Sequence, residues 1–114
     1  MIEGRCHCGA VEVRLVQAPT EAAECNCSLC SRLGSLWAYF PHADVEIVAG
    51  EGALEGYVQG DRTLTTWRCA RCGCVTHWTP LPAFDRGRVG VNLRLLQRSV
   101  WTVLPRRLID GASY

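Results

Sequence analysis

Hydrophobic and polar residues alternate with a period of two along most of the chain. Residues 11–15 read Val-Glu-Val-Arg-Leu, with apolar side chains at every second position. Because successive side chains of a strand point to opposite faces, this pattern predicts a half-buried strand. Similar runs, rich in β-branched and aromatic residues, predict further strands at 36–40, 63–68, 75–79 and 88–95.

Turn-forming residues separate these runs. Proline and glycine clusters stand at 18–20, 50–52, 80–82 and 85–87, where they favour tight reversals of the chain. The sequence shows no internal repeat and no low-complexity linker. We therefore expect residues 1–114 to form a single all-β domain of short antiparallel strands.

Composition excludes several classes of function. The chain has 114 residues and a formal net charge of +1, and all twelve of its basic side chains are arginine. Schiff-base, pyridoxal-phosphate and P-loop mechanisms need a lysine, so the sequence excludes them. The charge is near neutral and the arginines are scattered, which disfavours nucleic acid as a partner. No apolar stretch approaches membrane-spanning length, so we expect no membrane contact.

The eight cysteines carry the strongest chemical signal. Disulfide frameworks belong to small secreted chains, whereas closely spaced thiols in a reducing compartment typically bind metal. The first residues, Met1–Arg5, lack a basic region followed by an apolar run, so we expect no signal peptide and a cytoplasmic location. The cysteines group as Cys6 and Cys8, then Cys25, Cys27 and Cys30, then Cys69 and Cys72, with Cys74 left over.

The two outer pairs predict a structural zinc. Cys6 and Cys8 are two residues apart and share one face of an extended segment, while Cys69 and Cys72 have zinc-knuckle spacing. A glycine follows the second cysteine of each pair, where a positive φ helps the backbone turn. Together the pairs supply the four thiolates of a closed tetrahedral site.

The triplet Cys25, Cys27 and Cys30 predicts a different kind of site. Three thiolates hold one metal ion and leave its fourth position open, which is typical of a reactive zinc. Their charge makes the zinc a weak Lewis acid but suits a soft exogenous thiol, held as a thiolate that can attack a carbonyl. The alternative is a second structural zinc whose fourth ligand is Cys74, His77 or His7.

Three other residues have two interpretations each. Cys74 fits either a metal ligand or a small core residue, and His77 fits either a hydrogen-bonded strand histidine or a proton shuttle. Arg94 fits a solvated strand face, or a site for a substrate carboxylate beside the anionic zinc-thiolate.

The cysteine motifs resemble those of a known family. Gly4-Arg5-Cys6-His7-Cys8-Gly9-Ala10-Val11, Cys25 to Cys30 and Cys69-Ala70-Arg71-Cys72-Gly73 are similar to the motifs of the glutathione-dependent formaldehyde-activating enzymes. That family also includes the centromere protein V-like proteins. The resemblance extends to Asp110-Gly111 and implies an all-β fold of the β-tent type.

The resemblance also implies an activity. It implies a carbon-sulfur lyase that combines glutathione with formaldehyde, with two zinc ions per chain. Two other hypotheses stay open from the residues: a non-catalytic two-zinc module that binds a partner, and a thiol redox or metal-buffering protein. In the family the outer cysteines are structural and the triplet is catalytic, which implies one zinc on Cys6, Cys8, Cys69 and Cys72 and another on Cys25, Cys27 and Cys30.

Overall fold

The computed structural model describes residues 1–60 and 62–113. Within these ranges the chain forms ten strands, two short α-helices and several single 3₁₀ turns. The helices are α1 (Ser28–Leu33) and α2 (Arg98–Trp101). The strands are β1 (Ile2–Arg5), β2 (Val11–Leu15), β3 (Ala22–Cys25), β4 (Trp37–Pro41), β5 (Val45–Ala49), β6 (Leu54–Tyr57), β7 (Leu64–Cys69), β8 (Val75–Pro80), β9 (Arg88–Asn92) and β10 (Arg106–Ile109).

The strands form two sheets. One sheet has the order β1-β2-β5, and the other has the order β10-β3-β4-β9-β8-β7-β6. The predicted all-β class is confirmed, and the β-tent arrangement stays a prediction. The strand pairs of the described chain are antiparallel, as expected, except at one edge, where β10 pairs with β3 in parallel. Most of the chain lies between these two strands, which supplies the long connection that a parallel pair requires.

The strand predicted at 88–95 ends earlier than its alternation suggests. β9 stops at Asn92, whose side-chain oxygen accepts a hydrogen bond from the backbone N–H of Arg94 at 3.2 Å. This cap starts a 3₁₀ turn over Leu93–Leu95. Local side-chain bonding of asparagine therefore overrides the period-two pattern at this point.

The main core lies between the two sheets. Val13 and Leu15 of the smaller sheet pack with Phe40 and Val91 of the larger sheet, and all four are buried. Trp101 of α2 belongs to the same cluster. The alternating residues of β2 thus form one wall of the core, as their sequence predicts.

The fold places the two cysteine groups near opposite edges of the larger sheet. Cys25 ends β3, next to the β10 edge, and Cys69 ends β7, next to the β6 edge. In the described part of the chain, no helix is long and apolar enough to cross a membrane.

Candidate metal centres

Four cysteines from distant parts of the chain form the first cluster, called here the four-thiol cluster. Cys6 and Cys8 follow β1, whereas Cys69 ends β7 and Cys72 lies on the turn between β7 and β8. The four sulfur atoms all lie within 4.8 Å of one another. The structure therefore brings together the two cysteine pairs that the sequence groups into one site.

Sulfur spacing in this cluster fits a tetrahedral zinc ion. The Sγ atoms of Cys6 and Cys8 are 3.7 Å apart, and those of Cys8 and Cys69 are 3.6 Å apart. A tetrahedron with zinc-sulfur bonds of about 2.3 Å has edges of about 3.8 Å. Glycines 9 and 73 have φ values of 82° and 81°, as the sequence predicts for the turn after each pair.

Backbone amides point at the sulfur atoms of the knuckle turn. The N–H groups of Arg71 and Cys72 each donate to Cys69 Sγ at 3.4 Å, and the Cys72 amide is the leading cause of the lowered pKa of Cys69. The backbone N–H groups of Cys74 and Cys8 lower the pKa of Cys72 to about 5. Amide donors of this kind favour thiolates, the form that binds metal.

Cys74 lies beside the four-thiol cluster but is not one of its members. It is half-buried and packs against Val11 and the two buried cysteines of the cluster. Its sulfur accepts a hydrogen bond from the backbone N–H of His7, which lowers its pKa, although burial and the Cys72 thiol together raise that pKa above the ordinary value. This placement matches the interpretation of Cys74 as a small packing residue.

Three cysteines close together in sequence form the second cluster, called here the three-thiol cluster. Cys25 ends β3, Cys27 is the N-cap of α1, and Cys30 lies in the first turn of that helix. Their sulfur atoms also lie within 4.8 Å of one another, and all three residues are half-buried. Within the described residues, no histidine, aspartate, glutamate or further cysteine joins this group.

The α1 turn sets the geometry and electrostatics of the three-thiol cluster. The backbone N–H of Cys30 donates to Cys27 Sγ at 3.3 Å. Burial raises the pKa of Cys27. The Cys30 amide and the neighbouring thiols lower that pKa by a larger amount, so the net shift is downward. Burial raises the pKa of Cys30 to about 12, with partial opposition from the Trp37 side chain, which donates to its sulfur.

The proposed alternative fourth ligands are not in the three-thiol cluster. Cys74 packs against the buried cysteines of the four-thiol cluster, and His7 lies between its members Cys6 and Cys8. His77 is buried at 4% exposure, bonds to Thr76 Oγ1 at 2.8 Å and stacks on the Trp67 ring. Burial lowers the pKa of His77 to about 4. This matches the interpretation of His77 as a hydrogen-bonded strand histidine and not as a proton shuttle.

Asn26 connects the three-thiol cluster to the C-terminal segment. Its Nδ2 donates to Asp110 Oδ1 at 3.0 Å, and its Oδ1 accepts from the backbone N–H of Ala112 at 2.9 Å. The Asn26 backbone N–H also donates to the carbonyl of Ile109. Sequence reasoning assigned no role to Asn26, since its partners lie more than eighty residues away in the chain.

The C-terminal segment then lies directly against the cysteines. A Cβ atom placed on Gly111 would lie 2.4 Å from Cys25 Sγ and 3.2 Å from Cys27 Cβ. Gly111 is therefore required for close approach, because any larger residue would displace a sulfur atom of the cluster. The side of the three-thiol cluster that faces Gly111 is closed.

Another side of the three-thiol cluster opens into a cleft of about 560 Å³. The volume falls in the range typical of small-molecule sites. Arg94 is in the wall of this cleft, on the 3₁₀ turn after β9 and not on a strand face. The lining residues are Glu24, Cys25, Asn26, Cys30, Ser31, Gly34, Ser35, Leu36, Arg94, Leu108, Ile109 and Asp110.

Both clusters can hold a metal ion. All eight cysteines are free thiols, and thiolate sulfur is a preferred donor for zinc. The four-thiol cluster offers a complete tetrahedral set, whereas the three-thiol cluster offers one donor fewer and borders a cleft. The fold and these two clusters define a small all-β protein with two candidate metal centres.

The comparisons with known proteins identify the family. The family model of the glutathione-dependent formaldehyde-activating enzyme matches residues 1–103. The chain therefore belongs to this family. A crystal structure of a Rhodobacter sphaeroides protein is similar, with 32% identity and a TM-score of 0.74, and the match covers 93% of this chain and 100% of that one. No curated protein matches the chain.

Proposed function

We propose that this protein is a zinc-dependent carbon-sulfur lyase-type enzyme. It binds a small, glutathione-like thiol at the three-thiol cluster and forms or cleaves the adduct of that thiol with formaldehyde or another small aldehyde. The observation that carries the proposal is the difference between the two clusters: only the three-thiol cluster lacks a fourth donor among the described residues and borders the cleft. Membership of the family supports the same chemistry.

The proposed reaction balances without a redox partner. The thiol loses its proton, its sulfur forms a bond to the aldehyde carbon, and the carbonyl oxygen takes the electron pair and then a proton. The product is an S-hydroxyalkyl adduct, and the lyase direction reverses each step. A zinc ion on Cys25, Cys27 and Cys30 would supply acidification of the thiol. The cleft would bind and orient the rest of the substrate.

The residues around the three-thiol cluster position its sulfur atoms and limit access to one side. The Cys30 amide fixes the Cys27 sulfur, and the contact between Gly111 and the cysteines closes one side. Entry is left to the cleft side, which is lined by Ser31 and Leu36 among others. We place the protein in the cytoplasm, because a reducing compartment keeps thiols available for metal.

Metal content and thiol binding test this function directly. Anaerobically purified protein should contain two zinc ions per chain, and the cobalt-substituted protein should gain a thiolate charge-transfer band on addition of glutathione. S-methylglutathione is the matched control, since it has no free thiol and should give no band. Cys27→Ser should lose one metal ion and the glutathione response together.

Two results would contradict the proposal. If both cobalt sites are already saturated and glutathione leaves the spectrum unchanged, a non-catalytic two-zinc module is favoured. If the three-thiol cysteines oxidise reversibly as zinc is released, and adduct formation with formaldehyde is not accelerated, a redox or metal-buffering role is favoured.

A further inference from the structure

Arg94 is the one cationic side chain among the described residues that line the cleft beside the three-thiol cluster. The other charged side chains of the cleft wall are Glu24 and Asp110, and both are acidic. Thiolates on the cluster add further negative charge. An anionic group that enters the cleft therefore has a single favourable position, next to the Arg94 guanidinium.

The Arg94 side chain is held in place by two contacts that leave its terminal nitrogens free. Its Nε donates to the Gly34 carbonyl at 2.6 Å, and its guanidinium carbon lies 4.7 Å from the centre of the Trp101 ring. Among the described residues, no carboxylate lies within 4.0 Å of this guanidinium and no acceptor bonds to its Nη atoms. A guanidinium fixed in this way is suited to a planar, two-point contact with a carboxylate.

Ser35 provides a second, independent observation in the same wall. It follows Gly34 directly, lines the cleft and is only 4% exposed. Its Oγ is buried and has no hydrogen-bond partner within the described part of the chain. Buried hydroxyls are normally satisfied. In its present rotamer the Ser35 Oγ is shut off from the cleft, so rotation about the Cα–Cβ bond to another staggered position is required before it can donate to a bound group. An oxyanion bound at Arg94 would give this hydroxyl an acceptor.

We propose that Arg94 and Ser35 form a carboxylate subsite that selects thiols carrying a carboxylate a few bonds from the sulfur. This inference rests on the proposed function, since it assigns the substrate class of the same cleft. Glu24 and Asp110 increase the dependence of carboxylate binding on Arg94, because without Arg94 the cleft would repel a carboxylate. Substitution of Arg94 should therefore weaken the binding of anionic thiols and leave the binding of neutral thiols nearly unchanged.

A pair of thiols of equal length separates charge from sulfur binding. In the cobalt-substituted protein, 3-mercaptopropionate should bind more tightly than 3-mercapto-1-propanol, by roughly 2- to 10-fold, because Arg94 is exposed and solvent screens its contact with a carboxylate. Arg94→Met should abolish this preference by weakening the anionic thiol alone, and Ser35→Ala should reduce it. Arg98→Met is the matched control: Arg98 also lies over the Trp101 ring, at 5.7 Å, but it does not line the cleft.

A titration without thiol tests the subsite separately from the metal chemistry. Addition of propionate to the wild-type protein should shift the NMR signals of the Arg94 Nε–H and the Ser35 amide, whereas 1-propanol should not. If neither thiol reaches cobalt while propionate still shifts these signals, the proposed function fails and the carboxylate subsite stands.

The opposite pattern would overturn the subsite. If propionate leaves the Arg94 and Ser35 signals unchanged, Arg94 only caps the C-terminal end of α1 through Gly34. Equal weakening of both thiols by Arg94→Met would lead to the same conclusion. Circular dichroism and metal content check that the variant is folded, and the wild-type titration decides the question if it is not.

Discussion

Substitution of Gly111 by alanine tests whether the C-terminal segment shapes the three-thiol cluster. The added Cβ would lie 2.4 Å from Cys25 Sγ, and the Cys27 Cβ is the next nearest atom at 3.2 Å. The Cys27 Cβ is fixed by the backbone, whereas the Cys25 Sγ is the end of a short side chain with one rotatable bond, so it can move away only by leaving its present rotamer. Either Cys25 or the segment around Gly111 has to move.

The size of the movement follows from the contact distance. Ordinary van der Waals contact begins near 3.4 Å, so the sulfur and the new methyl group must separate by about 1 Å, several times the roughly 0.2 Å tolerance of metal-ligand distances. The segment is held by two hydrogen bonds to the Asn26 side chain. We therefore expect the Cys25 sulfur to leave its position in the cluster.

Metal analysis gives the readout. Gly111→Ala should retain about one zinc ion per chain, on the four-thiol cluster, while the wild type retains two. Gly50→Ala is the matched control, because no atom lies within 4 Å of a Cβ at Gly50 and its φ is not positive. The control should keep both metal ions.

Retention of two zinc ions by Gly111→Ala, with a cobalt spectrum equal to that of the wild type, would refute this reasoning. Such a result would mean that the C-terminal segment moves aside at little cost. Hydrogen exchange at Ala112 would then be faster than in the wild type, since its amide would lose the Asn26 oxygen as acceptor.

Three further outcomes follow from the structure. Cys72→Ser should unfold the domain at room temperature, whereas Cys27→Ser should lose one zinc ion and melt cooperatively, as circular dichroism and metal analysis would show. Asn26→Ala removes two side-chain hydrogen bonds and should lower the free energy of unfolding in urea by about 1–3 kcal/mol. An unchanged unfolding midpoint would mean that these bonds do not hold the C-terminal segment. His77 has a folded pKa of about 4, so the unfolded state binds more protons between pH 6.5 and 4, and stability is lost as the pH falls through this window. His77→Gln should remove that loss, about 3 kcal/mol, and equal pH profiles of the two proteins would contradict a buried neutral histidine.

Local pattern predicted β2, β4, β7, β8 and β9, but it did not predict β1, β3, β5, β6 or β10. The run at 11–15 became β2 with the bounds that its alternation gives, and the run at 75–79 became β8. The parallel edge strand β10 was missed, because only two of its four residues are apolar and its pairing with β3 depends on the whole intervening chain. Non-local pairing of this kind leaves no periodic signal in the strand itself.

The candidate sites, too, could be predicted from the sequence only where the signal is local. Cysteine spacing was sufficient to group the thiols, because sulfur geometry around zinc is nearly invariant. It could not indicate that Asn26 and Gly111 shape the three-thiol cluster, since both act through contacts that form only in the folded chain. A glycine needed for close approach looks in the sequence like any other loop glycine.

The two clusters also differ in what a metal ion contributes to folding. In the four-thiol cluster, Cys8 and Cys69 are 61 residues apart in sequence and in sulfur contact in space, so a metal ion there closes a long loop and joins β1 to the β7–β8 turn. Long loops lose the most entropy on closure. The three-thiol cluster spans only Cys25 to Cys30 within one strand end and one helical turn. A metal ion on this cluster would constrain little chain, so we expect exchange of a ligand at an open fourth position to leave the fold intact. Under the proposed function, this difference in loop length would let one small domain combine a metal centre that stabilises the fold with one that reacts.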